Sequence, residues 1–81
     1  MHRGYTIASP DLEKVLCLTA DRRRLVMRKL SNTKVLNKAL CLHDLTEAKN
    51  ILNRLMETKG YENLVSQAEV QNIARLYNKF F

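Results

Sequence analysis

One proline, two glycines, two cysteines and no tryptophan occur among the 81 residues. Each scarcity excludes a class. With so little Gly and Pro and 46% hydrophobic residues, the chain is neither a flexible linker nor a disordered basic tail, but an ordered domain rich in regular structure. Cys17 and Cys41 form no CxxC pair and sit in apolar runs (Val-Leu-Cys-Leu and Ala-Leu-Cys-Leu). Both are expected as buried thiols, with no disulfide framework. Together with His2 and His43 they have no metal-ligand spacing, so no metal and no cofactor are expected. Catalytic groupings are lacking too. His43 adjoins Asp44 without a nucleophile or second base, and Glu57, Glu62 and Glu69 are scattered, so neither an enzyme nor a small-molecule substrate is expected.

Long apolar runs are also missing. None approaches the ~18 residues of a membrane span, and residues 1–20 lack the apolar core of a secretory signal. The expectation is a complete, small cytoplasmic protein with no membrane partner. At 81 residues it forms one domain, which buries only about 60% of the surface its unfolded chain exposes. A partner or self-association, a homodimer included, is the expected further support.

Acidic residues are the last scarcity: eight Asp/Glu against fourteen Lys/Arg, a net charge of +6. Five cations, Arg22, Arg23, Arg24, Arg28 and Lys29, fall within eight residues, and Asp21 is the one acid beside them. A clustered, uncompensated basic face favours an anionic partner. With Lys34 and Lys38, these side chains are expected to contact phosphates or an acidic protein surface; a merely solvated face is the alternative.

Capping chemistry and apolar spacing predict an all-α domain of four or five short helices over residues 9–81, after a flexible arm at 1–8. Ser9-Pro10-Asp11 reads as a helix start, with Leu12, Val15 and Leu16 as its stripe. Thr19 or Asp21 caps a second helix to about Leu30, with Arg24 and Arg28 turned outward. Asn32 and Thr33 open a third through Leu42. The clearest helix begins at Asp44-Leu-Thr-Glu47, repeats Leu45, Ala48, Ile51, Leu52, Leu55 and Met56 at three- and four-residue steps, and ends at Lys59-Gly60. Ser66-Gln-Ala-Glu69 reads as the start of the last. The alternative is an α/β fold with a two- or three-stranded sheet. Its strands would be Lys14–Thr19 and Arg24–Arg28, joined around Ala20-Asp21, because periodicity does not separate short buried strands from buried helix. The absence of Gly or Asn at that turn favours helix.

Val35 to Leu55 also fits a helix-turn-helix pattern, in which Lys49, Asn53 and Arg54 would contact bases or phosphates; a plain helical hairpin of the core is the alternative. Tyr77, Phe80 and Phe81 crowd the chain end, where they anchor a protein partner or close the domain's own core. Leu45-Thr-Glu47-Ala48-Lys49 resembles the Leu-x-Glu-Ala-Lys segment of the C-terminal domain of the ribosomal stalk protein family. That resemblance implies an α/β fold that docks translational GTPases, with Lys38 the nearest match to a docking cation. The family's glycine-rich turn is replaced here by Leu42-His43-Asp44, and its final strand has no counterpart.

The expected function is that of a small non-catalytic regulatory or accessory protein. It would bind nucleic acid, or dock on a nucleic-acid-handling machine such as a polymerase, ribosome or nucleoprotein. The alternative is a protein–protein module (inhibitor, adaptor or oligomeric structural protein) whose cations meet acidic side chains. Small basic proteins of this kind are frequent in viruses and mobile elements.

Overall fold

Val15, Leu16 and Cys17 are all completely buried in the computed structural model, which describes residues 4–80. Successive strand residues point to opposite faces, so an unbroken buried run means that both faces are covered. This strand, β2 (Lys14–Leu18), lies in a four-stranded antiparallel sheet with β1 (Tyr5–Ala8), β3 (Leu25–Lys29) and β4 (Glu69–Asn72). The spatial order is β3-β2-β1-β4. Three helices complete the fold: α1 (Thr33–Leu36), α2 (Leu45–Glu57) and α3 (Ile73–Asn78).

The strand register sorts the core into two layers. On one face Ala8, Val15 and Cys17 pack with Leu36 of α1 and Leu76 of α3. On the other, Ile7 and Leu16 pack with Leu52 and Leu55 of α2 and with Val65. Helices therefore cover both faces of the sheet. β1 is central: Thr6, Ile7 and Ala8 are fully buried, although the stretch containing them was expected to be a loose arm. Met1–Arg3 lie outside the described residues.

The all-α expectation is overturned, and the α/β alternative describes the molecule. The stretch read as an arm supplies β1 of a β1–β2–β3 meander, and the residues read as the first two helices form the rest of it. Their apparent caps close its two hairpin loops. Ser9 Oγ accepts from Lys14 N at 2.9 Å, Asp11 Oδ1 accepts from Glu13 N at 3.0 Å, and Leu12 takes a positive φ of 60°. A Ser or Thr hydroxyl and an Asp carboxylate satisfy backbone N–H groups equally well at a helix end and in a turn. The third helix is cut to Thr33–Leu36, and the fifth begins late. Glu69–Asn72 is strand, and the Asn72 side chain, rather than Ser66, caps α3 by accepting from Ala74 N at 2.9 Å. α2 forms where its apolar spacing predicts. Asp44 accepts from Thr46 N at 3.2 Å, and Gly60, at φ +98°, follows the helix end.

β1 and β2 share the single register pair Ala8–Val15 and then part. Residues 39–42 fill the fork between them. Ala39 bridges to Cys17, and Leu40 N donates to Leu16 O at 2.9 Å. Tyr5 N donates to Leu42 O at 2.7 Å and Leu42 N to Tyr5 O at 2.8 Å. This segment replaces the tight turn that the helix-turn-helix reading required, so that motif is absent from the fold. Gly4 allows the close approach: it has φ +109°, and a Cβ there would stand 2.6 Å from Leu42 O.

Candidate anion-binding cleft

The arginine run is divided between a loop and a strand. Thr19 N donates to Arg24 O at 2.9 Å, and Arg22 N donates to Thr19 O at 2.9 Å. Asp21 Oδ1 accepts from the Thr19 hydroxyl and from Arg23 N at 3.2 Å. Those two hydrogen bonds, the Thr19 one foremost, hold the exposed Asp21 carboxyl below its ordinary range. The loop therefore uses its one acid internally, on backbone and hydroxyl, while the guanidinium groups of Arg22, Arg23 and Arg24 stay exposed. Arg22 has φ +59°.

Arg28 lies on β3 opposite Val15, so its side chain shares the face that carries α1 and α3. Lys29 points to the other face, where it stands opposite Lys14. Across from the hairpin end runs the connector after α1, residues 37–41. Its wall is fixed by α3, because Tyr77 Oη donates to Asn37 Oδ1 at 2.6 Å.

Between loop and connector lies a cleft of about 520 Å³. Arg22, Arg28 and Lys38 line it as cations, Leu18, Ala20, Ala39 and Leu40 as its apolar part, and Thr19, Asn37 and Cys41 complete it. No carboxylate among the described residues lines it. Among the described residues the one ion pair is distant, Lys79 Nζ to Glu13 Oε1 at 3.4 Å. Beneath the cleft, burial raises the Cys17 thiol above its ordinary range, while the charges of Arg28 and Lys38 act in the opposite sense. Cations from three elements thus converge on one concavity and are left uncompensated there. Clustered, uncompensated cations around a concavity give it a positive potential.

Residues 14–38 carry eight Lys/Arg against one acid, whereas the rest of the chain carries six against seven. The expected site residues fall into three groups. Arg22, Arg28 and Lys38 line the cleft. Arg23, Arg24, Lys29 and Lys34 are exposed on the same segment without lining it, and Lys49 and Arg54 are exposed on α2, which packs on the opposite face from α1 and α3. Tyr77 and Phe80 are half-buried against the α1–α3 side of the core, so part of their surface is already covered; Phe81 lies outside the described residues. Cys41, expected to be buried, is exposed, and Cys17 is buried.

Among the other cleft residues, Thr19 and Cys41 were expected in different roles, as a cap and as a buried thiol, and Leu18, Ala20, Asn37, Ala39 and Leu40 carry no binding signal in the sequence. One signal was present: Ser9-Pro10-Asp11-Leu12-Glu13-Lys14 and Thr19-Ala20-Asp21-Arg22-Arg23-Arg24 share Ser/Thr-x-Asp ten residues apart, and both build the same loop. Residues 37–41 carry no local mark, since a tertiary insertion places them. Leu45–Lys49, the segment that resembles the ribosomal stalk protein family, opens α2, and Lys38 lies in the cleft. No helix among the described residues is long and apolar enough to cross a membrane. No protein-family model, no curated protein and no solved structure matches this chain.

Proposed function

We propose that this protein is a non-catalytic nucleic-acid-binding domain that acts through the β2–β3 hairpin and the cleft at its end. The observation that carries the reading is the convergence of Arg22, Arg28 and Lys38 on one concavity that no carboxylate among the described residues lines. It lies within a segment of eight Lys/Arg and one acid. Phosphate contacts of this kind supply affinity by releasing counterions and carry little sequence information. The function is therefore that of an accessory protein that sits on nucleic acid, alone or as part of a nucleic-acid-handling machine.

Fluorescence anisotropy with labelled oligonucleotides over a salt series tests the proposal. Three phosphates neutralised on a single strand give a slope of about −2 in log K against log salt. Arg28→Glu with Lys38→Glu removes binding while the circular dichroism of the fold persists, since both side chains are exposed. Undiminished binding by that variant refutes the reading.

The second reading is an acidic protein partner. It draws on β3 as an edge strand of the sheet, where Arg28 and Lys29 flank backbone groups open to an added strand. The same cations also guard an edge against unwanted pairing. Affinity capture with and without nuclease separates the two: associations lost to nuclease support nucleic acid, and a protein retained after nuclease supports the alternative.

A further inference from the structure

We infer that the cleft receives one unpaired nucleotide, which makes this domain a binder of single strands in preference to duplex; the inference rests on the nucleic-acid reading above. The shape of the cleft favours an unpaired strand. Duplex phosphates lie on a convex cylinder with the bases stacked inside it. A concavity of about 520 Å³ needs a group that projects from the strand, and an unpaired nucleotide supplies one without an unstacking cost. This volume falls in the range of pockets that enclose a small organic ligand, about 300–1,000 Å³, and exceeds what a phosphate alone would fill.

The lining is divided between cations and aliphatic side chains. Arg22, Arg28 and Lys38 suit the phosphate, whereas Leu18, Ala20, Ala39 and Leu40 give an aliphatic wall that a bare phosphate would leave uncovered. A sugar and the flat face of a base cover it. The polar lining residues differ in what they have left to offer. Thr19 Oγ1 is already engaged, donating to Asp21 and accepting from Arg24 N. Asn37 Oδ1 is held by Tyr77, which leaves the Asn37 amide N–H groups to meet an acceptor on a base edge or ribose. Among the described residues no aromatic side chain lines the cleft, so contact with the base comes from the aliphatic wall rather than from ring stacking.

Cys41 provides a built-in reporter, because it is exposed on the cleft wall while Cys17 is buried. The test uses the full chain. Anisotropy compares a short single-stranded oligonucleotide with the duplex of the same sequence, and mass spectrometry follows the alkylation of Cys41 by neutral iodoacetamide. Inorganic phosphate and a mononucleotide form further arms. At a strand concentration about ten times Kd the unliganded fraction falls about tenfold, and Cys41 alkylation is expected to slow by about that factor. Duplex is expected to bind more weakly and, at equal occupancy, to leave Cys41 reactive. Four results overturn the inference. If single strand and duplex bind equally and Cys41 stays reactive, binding is superficial: the nucleic-acid reading stands and the cleft assignment fails. If duplex protects Cys41 as well as single strand does, the strand preference fails. If only phosphate or mononucleotide protects, the cleft is a small-anion site. If nothing binds, the nucleic-acid reading fails and this inference with it.

Discussion

Replacing Arg22 by glycine is expected to strengthen the fold and weaken binding in the same variant. Arg22 occupies the fourth position of the Thr19–Arg24 loop at φ +59°, and its side chain is exposed. A left-handed L-residue costs about 1–2 kcal/mol, and glycine removes that strain. The greater freedom of glycine in the unfolded chain takes back about 0.5–1 kcal/mol. The difference is a gain of about 0.5–1 kcal/mol, or about 2–8 °C in Tm for a domain of this size. Arg22→Ala is the control: it removes the same cation but keeps the strained backbone, so its stability stays within about 0.5 kcal/mol of the parent value. Both variants lose one phosphate contact, and the salt slope of single-strand binding flattens by about 0.7. Thermal circular dichroism and anisotropy read the two effects separately. A lower Tm for Arg22→Gly refutes the account of the loop, and unchanged binding by both variants removes Arg22 from the site.

Gly4→Ala places a Cβ 2.6 Å from Leu42 O at a φ of +109°, so a loss of about 2 kcal/mol or more is expected in urea unfolding, with faster amide exchange at Leu42. Thr6 is fully buried, and its Oγ1 has no hydrogen-bond partner among the described residues; Thr6→Val, which removes an unsatisfied hydroxyl at nearly constant shape, is expected to stabilise by about 1 kcal/mol in the same assay. Asp11 and Asp21 are held below their ordinary value of 3.8, chiefly by the Ser9 and Thr19 hydroxyls. A folded value below the unfolded one means that their contribution is complete above 3.8 and is lost as pH falls through the lower folded value. The urea midpoint therefore drops in that acid range, and Asp11→Asn with Asp21→Asn flattens the drop.

How readily each element could be read from the sequence follows from its surroundings. α2 was readable because one face is buried: Ala48, Leu52 and Leu55 recur at helical steps, and Asp44 and Gly60 mark its ends. β1 was not, and β2 was legible only as the alternative to a helix, because helices cover both faces of the sheet. Val15-Leu16-Cys17 therefore shows no alternation, and Thr6-Ile7-Ala8 is buried without a break. The hairpin loops were misread because a Ser or Thr hydroxyl followed by Asp satisfies a helix start and a four-residue loop alike. Arg22 and Leu12 take the left-handed conformation that glycine would have advertised. The arginine cluster was visible as charge, but its partner Lys38 and the wall of Asn37–Cys41 depend on the fork between β1 and β2, a tertiary event with no local pattern.

The most direct test of the central claim is a heteronuclear NMR titration of the labelled chain with a short single strand. The account predicts amide shift changes concentrated at residues 18–20, 22, 28 and 37–41, which line the cleft. Changes centred instead on the exposed face of α2, at Lys49 and Arg54, would contradict it.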